Sequence, residues 1–127
     1  MKNKFYQQII NRYIKAYNSF DIEGMLSNMD ATVKFENISN GHTTLTTNGI
    51  DELKTQAEQS KRYFKERKQE ISNITFNNDI VEIAIAYMAV LAIDFPNGLK
   101  AGDKIELKGK SIFKFKDNKI IELKDIS

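Results

Sequence analysis

The stretch Ile80–Asp94, with the sequence IVEIAIAYMAVLAID, decides the fold. Its odd positions carry bulky apolar side chains apart from Ala89, whereas its even positions carry mostly smaller ones. Because successive side chains of a strand point to opposite faces, this alternation predicts a long central strand with two unlike faces. The alanines make a helix the alternative, but the β-branched residues and the turn residues on both sides favour a strand. Its bulky face then requires helices packed against it.

Length and charge indicate an ordinary globular chain. Its 127 residues are enough for a single domain, residues 1–127, with a buried hydrophobic core. The net charge of +2 is too small to indicate a nucleic-acid partner. No segment approaches the roughly 20 apolar residues of a membrane span, and no secretion signal is visible. We therefore expect a cytoplasmic protein that binds neither nucleic acid nor membranes.

The inventory of reactive side chains is short. The chain contains no cysteine and one histidine, which excludes thiolate chemistry and makes a protein-only zinc site improbable. A glycine-rich phosphate loop and a cluster of metal ligands are also absent from the sequence. We expect no metal and no cofactor.

Helical periodicity alternates with strand periodicity along the chain. Apolar residues at helical spacing predict helices over residues 4–20, Ile22–Met29 and Ile50–Arg67. Alternating stretches bounded by turn residues predict strands over Ala31–Glu36, Thr43–Thr47, Ile71–Phe76, Ile80–Asp94, Lys104–Lys116 and Lys119–Ser127. Helices that precede an antiparallel meander predict an α+β architecture.

Several short segments carry a family resemblance. They are Arg12-Tyr13-Ile14, Ala16-Tyr17-Asn18, Asp21-Ile22-Glu23-Gly24-Met25, Asp30-Ala31-Thr32-Val33, Gly49-Ile50 and residues 113–122. In their order and spacing the chain resembles the SnoaL-like branch of the nuclear-transport-factor-2-like superfamily over nearly its whole length. The resemblance implies a strongly bent, mostly antiparallel sheet wrapped into a cone around three N-terminal-side helices, with a cavity at the open end. Members include ketosteroid isomerases, polyketide cyclases, epoxide hydrolases and plain binding domains, so fold alone does not assign function.

The isomerase residues carry over only in part. Those enzymes use a tyrosine and a protonated aspartic acid as an oxyanion hole, and a second aspartate as base. The resemblance places the tyrosine on Tyr13, the base on Phe35 and the acid on Ser111. Phenylalanine cannot accept a proton, so we do not expect isomerase activity by that mechanism. The alternative for Tyr13 is a core tyrosine with a satisfied hydroxyl.

Asp125 is the better acid–base candidate. It shares strand parity with Ile121 and Leu123, which predicts an inward carboxyl near the end of the last strand. On an apolar wall its pKa would be raised and it could act as general acid or base. The alternative is a partly solvated or hydrogen-bonded structural aspartate. The single histidine, His42, lies on a predicted loop that could lean over the cavity mouth or simply be exposed.

An epoxide hydrolase of this fold requires an Asp-Arg-Asp network deep in the cavity. The helix predictions place every arginine (Arg12, Arg62 and Arg67) on a helix rather than on a strand. The sequence therefore disfavours this activity.

Two classes of function stay open. The first is a pocket protein that binds a small hydrophobic or aromatic ligand. The second is an enzyme acting on a hydrophobic carbonyl compound, with Asp125 as general acid/base and Tyr13 and Ser111 as hydrogen-bond donors. The candidate catalytic residues are Asp125 and Tyr13. The candidate ligand-binding residues are Tyr13, Tyr17, Phe35, His42, Phe64, Tyr87, Leu91, Ser111 and Phe113.

The even face of Ile80–Asp94 predicts a protein partner. Small apolar side chains follow one another there: Ala84, Ala86, Met88, Val90 and Ala92. Ile112 on the neighbouring predicted strand would extend this row within a lysine-rich face. Monomers rarely expose a large contiguous apolar surface, so we expect a homodimer through the outer face of the sheet. The alternative is that a terminal segment or loop covers the row.

Overall fold

The structure is a computed structural model that describes residues 2–127. Three helices and six strands occur within these residues. They are α1 (Lys2–Asn18), α2 (Ile22–Leu26), β1 (Met29–Ser39), β2 (His42–Asn48), α3 (Ile50–Lys61), β3 (Phe64–Asn77), β4 (Ile80–Leu91), β5 (Lys104–Lys116) and β6 (Lys119–Ile126). The strands form one sheet in the order β2-β1-β6-β5-β4-β3. Only the β1–β6 pair is parallel, and the bent open sheet wraps around the helices as the predicted α+β cone.

The alternation of β4 is confirmed. Val81, Ile83 and Ile85 on its odd face are buried in one core cluster with the helices, and Ala89 and Leu91 are buried as well. The even face is half-buried or exposed. The inner face of the sheet therefore forms the hydrophobic core with the apolar side of α1.

One end of α1 is fixed to the sheet by an aromatic and polar contact. The rings of Tyr6 and Phe115 stack with centroids 3.9 Å apart. The Tyr6 hydroxyl donates to Asp79 in the β3–β4 turn at 2.7 Å. This contact closes one end of the molecule and leaves the other end of α1, around Tyr17, for the site described below.

The predicted helix over Ile50–Arg67 is wrong in its second part. α3 ends at Lys61, and β3 begins at Phe64 rather than at Ile71. Arg67 and Gln69 are buried while the side chains between and around them are exposed, which is the period-2 pattern of a strand. Pairing with β4, where Arg67 lies opposite Ala89, supplies the hydrogen-bond ladder that decides between the two structures.

Other boundaries differ by a few residues. β1 runs over Met29–Ser39, longer than predicted, because both of its edges are paired. β4 ends at Leu91 rather than at Asp94. Directly after this end, the backbone N–H of Ala92 donates to the Tyr63 carbonyl at 2.8 Å. A bulge in β3 near Ser72 shifts the inward parity, so that Ile74 and Phe76 still reach the core.

None of the helices within residues 2–127 combines the length and the apolar character needed to cross a membrane.

Candidate functional site

A cavity of about 220 Å³ lies between the C-terminal end of α1 and the inner face of the sheet. Helix α1 and five strands contribute to its wall. The lining residues are Tyr17, Asn37, Gln69, Ile85, Tyr87, Leu107, Gly109, Lys110, Asp125, Ile126 and Ser127. The wall therefore combines apolar side chains with a small group of polar ones, which is the usual composition of a small-molecule site.

Asp125 supplies the acidic group of this cavity. It lies on β6 directly opposite Ser111 on β5, and the Ser111 hydroxyl donates to Asp125 Oδ1 at 2.7 Å. Burial raises the pKa of Asp125 to about 6, while the hydrogen bond from Ser111 lowers it. The pKa shift has the direction expected from the sequence. A carboxyl with this pKa can both give and take a proton near neutral pH.

Two tyrosines place their hydroxyls at the cavity. The hydroxyls of Tyr17 on α1 and Tyr87 on β4 share a hydrogen bond of 3.1 Å. Burial raises the pKa of both phenols, so both stay protonated over the physiological range. They can therefore act as neutral hydrogen-bond donors or acceptors but not as bases.

Arg67 lies behind this pair, on the inner face of β3. Its guanidinium carbon is 3.8 Å from the centroid of the Tyr17 ring and 4.5 Å from that of the Phe20 ring. Its Nε donates to the Tyr17 carbonyl at 2.8 Å. The side chain is 4% exposed and forms no ion pair within residues 2–127. Such stacking is a cation–π interaction that holds Tyr17 in place.

The prediction that Arg67 lies on a helix, which disfavoured an epoxide hydrolase, is wrong. Arg67 lies on a strand and points inward. Its partners are aromatic rings, a main-chain carbonyl and the Met25 sulfur rather than two aspartates. The Asp-Arg-Asp network is therefore not formed around this arginine, for a reason that the sequence did not reveal.

Gln69 is a wall residue that the sequence analysis missed. The Asn18 side chain bonds the Gln69 backbone at the edge of the sheet. Asn18 Nδ2 donates to the Gln69 carbonyl at 3.0 Å, and Asn18 Oδ1 accepts from the Gln69 N–H at 2.7 Å. Gln69 Oε1 is buried and has no hydrogen-bond partner in the described part of the chain. The alternation from Lys65 to Ile71 was the signal that could have found it.

The predicted site residues divide into two groups. Tyr17, Tyr87 and Asp125 line the cavity, and Ser111 contacts it through its bond to Asp125. The others lie outside its wall: Tyr13 and Phe113 in the core, Phe35 half-buried on β1, His42 exposed at the start of β2, and Phe64 opposite Leu91 where β3 begins and β4 ends.

The Tyr13 ring contacts Phe113 edge-on, with centroids 5.7 Å apart. Burial raises the pKa of Tyr13 well above its usual value, and the charge of Asp125 adds to that rise. Tyr13 is thus a core tyrosine within electrostatic reach of Asp125 rather than part of the cavity wall. Ala89 faces inward as its parity predicts, but it does not line the cavity either.

Gly109 permits the close approach of two strands at the cavity. A Cβ atom on this residue would lie 2.7 Å from the carbonyl oxygen of Ile126, closer than such atoms come in proteins. Glycine therefore lets the end of β6 lie against β5 and brings Ile126 and Ser127 into the wall.

Within residues 2–127, no three histidine or acidic side chains are close enough together to hold a metal ion.

Comparison with known proteins assigns the fold. A family model for the SnoaL-like domain matches residues 10–123. A protein from Xanthomonas campestris pv. campestris, provisionally named a polyketide cyclase, superposes with a TM-score of 0.84 at 16% identity, covering 98% of this chain and 90% of that one. A provisionally named SnoaL-like polyketide cyclase from Jannaschia sp. CCS1 gives 0.81 at 14% identity, covering 96% and 84%.

A third structure carries the ketosteroid isomerase-like description. It is a hypothetical protein with that fold from Catenulispora acidiphila DSM 44928, in complex with trimethylamine. Its TM-score is 0.75 at 11% identity, with 92% of this chain and 82% of that one covered. Identities this low show a shared fold and no more. No curated protein matches the chain at a significant level.

Proposed function

The chain belongs to the SnoaL-like domain family, and from that premise we propose that it is a small-molecule pocket protein that binds a small, mainly apolar ligand in the cavity between α1 and the sheet. One observation carries the proposal. Apolar side chains and convergent polar groups meet in one cavity, which is the default signature of a binding site.

The size of the cavity limits the ligand. At about 220 Å³ it lies below the roughly 300–1,000 Å³ typical of sites for drug-sized ligands. Ile85, Leu107 and Ile126 provide the apolar wall, against which a compact hydrocarbon or aromatic group would lose contact with water. Tyr87 and Asp125 provide the groups that would fix its orientation.

The enzyme alternative is favoured by a different observation, the environment of Asp125. A carboxyl with a pKa of about 6 can remove a proton from the carbon next to a carbonyl group and return it to another atom. A hydroxyl of the Tyr17–Tyr87 pair would donate to the carbonyl oxygen, in the place that the sequence analysis gave to Tyr13. The polyketide cyclase names of two structural relatives support this class of reaction by resemblance.

A blocking variant tests the pocket. Leu107 lines the cavity and is 41% exposed, so Leu107→Trp can add volume at the rim without overpacking the core. We expect 4-fluorophenol, followed by fluorine NMR, to bind the parent protein and to lose most of its affinity for the variant. Ile93→Trp, at a similarly exposed apolar position outside the cavity, is the matched control and should bind like the parent. Equal binding to all three proteins would remove the proposed pocket.

The enzyme alternative has its own test. The parent should catalyse deuterium incorporation from D2O next to the carbonyl group of 4-fluorophenylacetone, and Asp125→Asn should abolish it. Incorporation no faster than in buffer alone, with binding intact, would leave a non-catalytic pocket.

The cytoplasmic location and the lack of nucleic-acid and membrane partners stay predictions from the sequence.

A further inference from the structure

We propose that the cavity recognises a neutral hydroxyl group on its ligand, with Gln69 as the residue that determines this specificity. In the complex the ligand O–H donates to Gln69 Oε1, and its oxygen accepts a hydrogen bond from the Tyr17–Tyr87 pair. This inference rests on the proposed function and specifies the ligand that the cavity takes. It is carried by two hydrogen-bonding groups of the wall that lack a partner.

The first group is the Gln69 carboxamide. The residue is 5% exposed and lines the cavity, yet Oε1 has no partner within residues 2–127. A buried acceptor without a donor costs on the order of 1–3 kcal/mol, so a ligand that supplies the donor recovers that free energy. Oε1 is itself buried, and because the terminal torsion of glutamine is broad, rotation about it can turn Oε1 toward the cavity that the residue lines.

The backbone of Gln69 is fixed independently of its side chain. Both main-chain polar groups are bonded to the Asn18 side chain at 2.7 and 3.0 Å. The side-chain amide lies close enough to the Tyr17 hydroxyl to oppose the rise in the Tyr17 pKa that burial causes. The carboxamide therefore lies beside the hydroxyl pair.

The second group is a hydroxyl donor of the Tyr17–Tyr87 pair. Tyr17 and Tyr87 have two O–H protons, and the single bond of 3.1 Å between them uses one. No other hydrogen bond from this pair to a protein acceptor occurs in the described chain. Tyr87 lies directly opposite Gln69 across the β3–β4 ladder, so both side chains occupy the same face. One free donor and one free acceptor are thus neighbours.

A hydroxyl satisfies both groups through one oxygen, because it donates one hydrogen bond and accepts others. A ketone or an ether could only accept and would leave Gln69 Oε1 unpaired. An anionic group would share the cavity with the Asp125 carboxylate, and a cationic group would lie near Arg67, whose charge already acts on the Tyr17 and Tyr87 hydroxyls. The surroundings therefore favour a neutral hydroxyl compound.

The test uses two probes of nearly the same shape. 4-Fluorophenol carries a hydroxyl where 4-fluorotoluene carries a methyl group, and both are followed by fluorine NMR. We expect the parent protein to bind 4-fluorophenol about tenfold more tightly than 4-fluorotoluene, the ratio expected for one well-made hydrogen bond to a buried group. In Gln69→Met, which keeps the length of the side chain and the backbone bonds to Asn18, this preference should fall to less than about twofold.

Three other outcomes would count against the inference. Equal affinities in the parent overturn the hydroxyl specificity and leave the proposed pocket in place. A tenfold preference that survives in Gln69→Met shows that Asp125 or an ordered water receives the proton, which also overturns the inference. Binding of neither probe to the parent overturns the pocket itself. The comparison in the parent needs no variant, so it stands even where Gln69→Met fails to fold.

Discussion

Asp125 lies on a cavity wall where burial raises its pKa to about 6, against an ordinary value of 3.8. The ionised form is therefore less favourable in the folded protein than in the unfolded chain. The cost is absent below the unfolded pKa, grows as the pH rises from about 4 to about 6, and is constant above that. Between those limits the free energy of unfolding falls by at most about 1.4 kcal/mol per pH unit from this group.

Asp125→Asn should remove this pH dependence. The amide oxygen can still accept from Ser111, so the geometry is kept while the charge is lost. We expect the variant to match or exceed the parent in stability at pH 7, and its advantage to shrink as the pH is lowered from 6 to 4. Urea unfolding across that range measures the difference. Asp117→Asn, in the exposed β5–β6 turn, is the control. A variant that is much less stable than the parent at every pH would show a structural carboxylate instead.

Arg67 is a second residue whose role follows from its contacts. Its planar guanidinium stacks on Tyr17 and Phe20, an arrangement that a lysine ammonium cannot reproduce. Arg67→Lys should therefore lower the free energy of unfolding by about 1–2 kcal/mol. Lys68→Arg, at the exposed neighbouring position, should change it little. Equal stabilities of the two variants in urea would contradict the stacking account.

At the scale of elements, β3 is an edge strand that the end of α1 protects. The Asn18 side chain mimics a neighbouring strand by pairing with both main-chain groups of Gln69. Asn18→Ala removes both hydrogen bonds from these part-buried groups and should cost about 2 kcal/mol. Asn11→Ala, on the exposed side of α1, is the matched control. Rapid hydrogen exchange of the Gln69 amide in Asn18→Ala alone would support this role of the Asn18 side chain. Unchanged protection of that amide from exchange would contradict it.

The elements that sequence reasoning predicted well are those with an unbroken pattern. β4 alternates bulky and small residues, and β5 alternates apolar residues with lysines, so period 2 was visible in both. The start of β3 was missed because its inward positions, Arg67 and Gln69, are polar and look like the solvated end of a helix. Tertiary contacts explain the difference, because the Arg67 side chain packs against Tyr17 and Phe20, and the Asn18 side chain bonds the Gln69 backbone.

At the scale of the whole molecule, the site was only partly predictable because tertiary packing decides which inward side chains line the cavity. Tyr87 and Asp125 follow from strand parity, and the structure places both in the cavity wall. Tyr13 and Phe113 have equally inward positions, but they fill the core instead of lining the cavity. Which inward side chains leave space between them depends on the bend of the sheet and on the path of α1, and neither can be read from one strand.

The homodimer stays a prediction. On the outer face of β4, Ala86 is exposed and Val90 is half-buried, so the apolar row is open in the isolated chain. Val90→Lys would place like charges beside their symmetry mates across a twofold interface. Sedimentation should then give a dimer for the parent and a monomer for the variant, while Gln59→Lys on the exposed side of α3 stays dimeric. A parent that is monomeric at micromolar concentration would contradict the prediction.

The central claim is that a small ligand occupies the cavity between α1 and the sheet. The most direct measurement is a set of intermolecular nuclear Overhauser effects between bound 4-fluorophenol and assigned side chains. The account predicts contacts from the probe ring to Ile85, Tyr87 and Leu107, which line the cavity, and none to Ile80 or Ile93, which are exposed apolar residues outside it. Contacts confined to those two outer residues, with Ile85, Tyr87 and Leu107 silent, would contradict it.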